Sequence, residues 1–259
     1  MTATRRLFPY LLACLLLSGP CHGAPAEPPA LSTVIDNAKT SIVGIGSYRT
    51  TRSPPVAFVG TGFVVGDGLT VLTAAHVLQT LLGAEQKDVL GILVGQGESA
   101  QFRPATLVAL DREHDLARLR ITGAPLPAMQ LGDSAKVVEG QSLVFTGFPL
   151  GMILGLHHVT HRAMVSSITP VALPSMRADK LDPKLLVQLR KPPYPMFQLD
   201  GTAYPGSSGS PLYDPDNGLV YGVINMVYVK GLKEAAITAP SGITYAMPGN
   251  YIRDLLQAK

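Results

Sequence analysis

The sequence predicts an all-β protein, built as barrels or sandwiches rather than as an α/β sheet, and closed by one C-terminal helix. Short β-rich runs recur at Phe63 to Val65, Val89 to Val94, Ala105 to Leu110, Ala117 to Ile121, Ser142 to Thr146 and Leu219 to Val223, divided by Gly, Pro and Asp turns. No long amphipathic helical pattern separates these runs, as an α/β sheet would require. The exception is the end of the chain, where Pro248-Gly249 sets off a helical pattern over 250–258. A shorter helix is expected over Ser32 to Lys39, leading into a strand at Ser41 to Ser47.

At 259 residues, with 46% hydrophobic and 15% charged, the chain has ample material for one large β domain or two barrels in one body. Residues 1–26 read as a signal peptide: Arg5-Arg6 supply the positive start, Leu7 to Leu17 a short apolar run, and Ala24-Pro25-Ala26 a cleavage signal. The run is shorter than the roughly 20 residues that span a bilayer, so no membrane anchor is expected after cleavage. The mature domain is then 27–259, and no further module is expected after the terminal helix. Without Arg5 and Arg6 the formal charge falls from +3 to about +1, which gives nucleic acid no electrostatic footprint. Both cysteines, Cys14 and Cys21, lie in the leader, so thiol catalysis, cysteine-ligated zinc and disulfides are excluded from the mature domain. Export without disulfides fits a bacterial periplasm or secretion from a bacterium.

One segment carries chemistry on physical grounds alone: Tyr204-Pro205-Gly206-Ser207-Ser208-Gly209-Ser210-Pro211. Glycines flanking a serine let the backbone bend sharply and present a hydroxyl. The same bend can aim the N–H groups of Gly206 and Ser208 at one point, as a developing oxyanion requires. Register against Gly206 and Gly209 selects Ser208 over Ser207 and Ser210. A serine nucleophile needs a base and the base an orienting carboxylate. All six histidines (His22, His76, His114, His157, His158 and His161) precede Ser208, which excludes an α/β-hydrolase order and leaves His–Asp–Ser open. Asp111 and Asp115 are both candidates for the carboxylate.

Thr73-Ala74-Ala75-His76-Val77, His114-Asp115-Leu116-Ala117 and the serine segment resemble the three motifs of the trypsin-like serine proteases of chymotrypsin fold, and within them most closely the protease domain of the HtrA/Deg family. Leu131-Gly132-Asp133-Ser134, Gly147-Phe148-Pro149-Leu150-Gly151 and Thr244-Tyr245-Ala246-Met247-Pro248 resemble its linking pieces. The resemblance spans roughly residues 32 to 258 but brings no PDZ domain. It implies two packed six-stranded antiparallel β-barrels, the first over about 40–130 and the second over about 140–248. It also implies a triad of His76 as base, Asp115 as its orienting carboxylate and Ser208 as nucleophile, with the N–H groups of Gly206 and Ser208 as the oxyanion hole. Thr202 would lie at the base of the primary pocket, where an acid is absent. Cleavage after Lys or Arg is therefore not expected, and small or medium apolar side chains are. Asn225-Met226-Val227 would pair with the substrate backbone, flanked by loops over Pro170 to Pro195 and Tyr228 to Ser241. Ser207 and Ser210 depart from the family, which often has Asp or Asn at the first position and usually Gly at the second.

The expected activity is endopeptidase cleavage of protein or peptide substrates without a cofactor. A catalytically silent peptide-binding protein of the same fold is the alternative, and an esterase using the same triad a third reading. His157, His158 and His161 do not suggest a metal site: on a strand, residues 157 and 161 stand about 13 Å apart, and no nearby acid or thiol completes a ligand set. They are expected to face solvent.

Overall fold

The computed structural model describes residues 29–82, 88–170, 193–225 and 242–257. Twelve strands among them form two closed barrels. The first contains β1 (Ile42–Tyr48), β2 (Val56–Val65), β3 (Thr70–Ala74), β4 (Val89–Val94), β5 (Gln101–Asp111) and β6 (Leu116–Ile121), in the order β1-β2-β3-β6-β5-β4. The second contains β7 (Ser142–Gly147), β8 (Val159–Pro170), β9 (Pro195–Asp200), β10 (Pro211–Tyr213), β11 (Val220–Asn225) and β12 (Ile243–Pro248), in the order β10-β11-β12-β9-β8-β7. Each described pairing between named strands is antiparallel. The signal-peptide region, residues 171–192 of the first expected mouth loop and the whole of the second lie outside the described residues.

The continuous apolar runs follow from strands buried on both faces. Val64 and Val71 point into the first barrel beside Ile45, Ile92 and Leu119, whereas their neighbours Phe63 and Leu72 face the second barrel. In β7, Leu143 and Phe145 fill the second barrel with Val165, Phe197, Leu199 and Ile224, while Val144 joins the layer between the barrels. That layer also contains Phe148, Tyr213, Val220 and Met247, so the interface between barrels is a core in its own right.

Among the described residues, three α-helices accompany the barrels: α1 (Leu31–Lys39), α2 (Ala75–Leu82) and α3 (Asn250–Gln257). The terminal helix begins where Pro248-Gly249 predicts and presents Ile252 and Leu255 to the core between the barrels. Asn250 fixes its start, its N–H donating to Ser134 Oγ at 2.9 Å and its Oδ1 accepting from Ser134 N–H at 3.3 Å. The Leu131-Gly132-Asp133-Ser134 segment thus serves to dock α3, which Arg253 reinforces by donating to the Gly132 carbonyl at 2.9 Å.

Candidate active site

His76 is the second residue of α2, which starts directly off β3. The helix is pinned at that point because Ala75 N–H donates to the Asp115 carbonyl at 2.9 Å. The Asp115 carboxylate grips His76 twice, Oδ1 taking the backbone N–H at 2.7 Å and Oδ2 lying 2.6 Å from Nδ1. Such a bond fixes the ring's orientation and places the proton on Nδ1, leaving Nε2 as the free base. Asp115 itself has φ 53, the left-handed region that aspartate enters more readily than most residues. The rival carboxylate has another partner: Asp111 Oδ2 lies 2.6 Å from His114 Nδ1.

Ser208 comes from the other barrel, on the loop between β9 and β10, and is 5% exposed. Its loop is bolted to the first barrel. Thr61 N–H donates to the Ser208 carbonyl at 2.9 Å, and a Cβ on Gly60 would sit 2.8 Å from Val77 and 3.2 Å from that same carbonyl oxygen. Glycine at 60 therefore permits the serine loop to lie against the residue that follows His76. Gly209, at φ 86, approaches just as closely, for a Cβ there would overlap the Thr61 carbonyl and Thr73 Oγ1. Among the described residues, no hydrogen bond joins Ser208 Oγ to His76.

The peptides around Ser208 are held by their carbonyls. Pro205 O accepts from Leu150 N–H at 2.6 Å, and Gly206 O accepts from Thr61 Oγ1 at 2.7 Å. In a trans peptide the N–H points opposite to the C=O, so the Leu150 bond turns the Gly206 N–H away from Leu150. Ser207 N–H is used within the turn, donating to Tyr204 O at 2.9 Å. Among the described residues, neither Gly206 N–H nor Ser208 N–H donates to a protein acceptor.

Thr202 is half-buried just beyond β9. Thr244 brackets it, accepting from Ala203 N–H at 2.9 Å and donating to Gly201 O at 2.5 Å. Asn225 ends β11, buried, with its carboxamide oxygen unpaired among the described residues. Met226 and Val227 lie outside the described residues. Thr61 and Thr244 hold the candidate site and were not among the residues the sequence singled out, although Thr244 sits inside a quoted motif. His158 and His161 do not face solvent as expected. His158 is half-buried, with Nε2 donating to the Ile42 carbonyl at 3.1 Å, and half-buried His161 stacks on Phe145 at 5.0 Å. His158, just before β8, reaches across to β1, and His161, on β8, lies against Phe145 of β7, contacts that the alternation of Val159 to Pro170 does not reveal.

Residues 60–223 match the family described as trypsin-like peptidase domain. Among curated proteins, the chain is 27% identical over 197 residues to a Halomonas elongata protein named "Probable periplasmic serine endoprotease DegP-like", covering 76% of this chain and 34% of that one. It is 28% identical over 204 residues to the mitochondrial serine protease HTRA2 of Drosophila pseudoobscura pseudoobscura, covering 79% of this chain and 40% of that protein. The chain thus spans about a third of the length of the first curated relatives it matches. Among solved structures, the HtrA-type protease AlgW with tripeptide superposes with TM-score 0.63 at 20% identity, over 88% of this chain and 63% of that one. The active form of the Rv3671c protease from M. tuberculosis gives 0.62 at 22% identity, over 97% and 93%. The double barrel is therefore the chymotrypsin-like fold of the HtrA-type proteases. With the family match covering more than half of its residues, this chain belongs to the trypsin-like peptidase family.

Proposed function

We propose that the chain is a serine endopeptidase in which His76, Asp115 and Ser208 act as base, orienting carboxylate and nucleophile. The observation that carries this reading is the pair of hydrogen bonds from His76 to the Asp115 carboxylate on one barrel, met by the Ser208 loop of the other through Thr61. Ser208 Oγ attacks the scissile carbonyl carbon and passes its proton to His76 Nε2. The resulting tetrahedral oxyanion takes hydrogen bonds from the unengaged N–H groups of Gly206 and Ser208. Collapse expels the amine, which receives the proton from His76, and water repeats the sequence to release the acid. Asp115 holds the ring in place and stabilises the imidazolium.

The primary pocket lies by Thr202, framed by Thr244, with no acid among the residues named to neutralise Lys or Arg. Small or medium apolar side chains are its substrates, and Asn225, Met226 and Val227 pair with the substrate backbone. The leader over 1–26 directs export, and the DegP-like relative named as periplasmic supports that compartment. One observation favours a second reading, a silent peptide-binding protein: Ser208 Oγ makes no bond to His76 among the described residues. Catalytic hydrogen bonds often tighten only once substrate is bound, which keeps the peptidase reading ahead.

Reaction with a fluorophosphonate probe, beside Ser208→Ala and followed by casein digestion, tests the proposal. Labelling and casein cleavage by the wild type alone establish the peptidase. Folded wild type that neither labels nor cuts casein sinks it in favour of the binding protein.

A further inference from the structure

A second histidine–aspartate pair stands beside the first. His114 immediately precedes Asp115, and its Nδ1 lies 2.6 Å from Asp111 Oδ2. The other Asp111 oxygen accepts from the N–H groups of Glu113 at 2.9 Å and His114 at 3.1 Å. Those two backbone bonds suffice to close an Asp-initiated turn. The imidazole bond is additional, and so is what the ring touches. It stacks on Tyr251 of α3, with centroids 3.9 Å apart and planes 14° from parallel, and meets the edge of Tyr194 at 4.7 Å. The Tyr194 hydroxyl donates to the Glu113 carbonyl at 2.5 Å.

We propose that His114 is a positioning residue for Asp115, tying the turn that ends in the catalytic carboxylate to the second barrel and the terminal helix. The inference rests on the triad proposed above. Asp115 needs such a tie because its φ of 53 is a conformation that surrounding contacts must hold. The Ala75 bond secures its carbonyl from the far side, and the Asp111–His114–Tyr251 stack secures the peptide that leads into it. Tyr194, one residue before β9, brings the second barrel onto the same turn. Its hydroxyl pKa is pushed up to about 12, first by burial and then by the carboxylates of Glu113, Asp115 and Asp111. The arrangement links the two halves of the site by a route separate from Thr61.

The test compares wild type with His114→Leu, His114→Phe and His114→Asn, each normalised by fluorophosphonate titration of competent sites. The phenylalanine keeps a ring for Tyr251 and loses the Asp111 bond, whereas the asparagine keeps a donor for Asp111 and loses the ring. His114→Leu is expected to lower kcat about tenfold with KM within about twofold, a misplaced catalytic group costing turnover rather than binding. Phenylalanine and asparagine should each restore part of the loss. In proton NMR, the low-field imidazole resonance of His76 should shift in His114→Leu while that of His114 disappears. Unchanged kcat and an unmoved His76 resonance in a folded variant overturn the inference. If the leucine variant does not fold, the phenylalanine and asparagine variants are read in the same way. Wild type that fails to label defeats the triad itself, whereas labelled wild type beside undiminished variants defeats only the role of His114.

Discussion

Thr61 Oγ1 donates to the Gly206 carbonyl at 2.7 Å and receives the Phe148 N–H at 3.1 Å, so one buried hydroxyl of the first barrel fixes two loops of the second. The same residue's N–H and carbonyl are bound to Ser208 O and Thr73 Oγ1. The peptide following Gly206 is thus oriented from across the interface.

Thr61→Val keeps the shape of the side chain but leaves the Gly206 carbonyl and the Phe148 N–H without their partner. A loss of about 1–3 kcal/mol is expected from the unpaired groups. The fluorophosphonate labelling rate should fall by more than the stability change explains, because the loop then samples other peptide orientations. Labelling at the wild-type rate in a destabilised protein would show that Thr61 serves the fold alone.

Asp115→Asn retains the size of the carboxylate, but an amide cannot accept at both of the positions now facing His76. A fall in kcat of about 10⁴-fold is expected, with peptide binding little altered. Single-turnover acylation with an activated ester and competition by a substrate peptide measure the two effects separately.

Ser210 and Ser207 carry buried hydroxyls without hydrogen-bond partners among the described residues. Ser210 Oγ stands where a Cβ on Gly147 would overlap it, so the site is tight as well as unsatisfied. Ser210→Ala removes the unpaired group, and stability should rise by about 1 kcal/mol without loss of labelling. A lower thermal midpoint would mean that the hydroxyl has a partner.

Burial holds the pKa of His161 below the ordinary histidine value, and burial is likewise the leading cause for His158, with Lys39 and His157 adding to it. The unfolded chain therefore binds protons that the folded one refuses. Stability from these residues is complete above about pH 6.5 and is lost as pH falls below it, by at most about 1.4 kcal/mol per pH unit for each. His161→Phe, which can keep the stack on Phe145, should flatten the decline of the thermal midpoint between pH 7 and 5. An identical slope would remove His161 from the account.

The sequence was most informative where residues face the same constraint along the chain. Val89 to Val94 is a strand over those very residues, and Pro248-Gly249 marks the start of α3. The Ser208 segment was visible because Gly206 and Gly209 flank it, whereas the His76 and Asp115 segments were read through their resemblance to the family's motifs. β8 was less visible, since its Arg, His, Ser and Pro alternate along a half-exposed surface whose apolar neighbours lie far away in sequence. α2 was hidden for another reason: Ala74 to Leu82 continues the apolar character of β3 with only His76, Gln79 and Thr80 interrupting it, and a chain contact, Ala75 to Asp115, marks where strand gives way to helix. The pairing of Asp111 with His114 rather than His76 is also invisible in one dimension, for both aspartates precede or follow a histidine at short range. Thr61 reads as filler between two glycines until the other barrel is placed against it.

Closure of both barrels bears on more than catalysis. Each of the twelve described strands has a neighbour on both sides over part of its length, so neither described barrel ends in an edge strand. Free edges invite extended chains to add as further strands, the first step toward aggregation. The activity proposed above would bring the chain into contact with extended polypeptides, which add readily to such edges. Closure confines such pairing to short stretches of strand and leaves no whole edge strand among the described residues on which chains could stack.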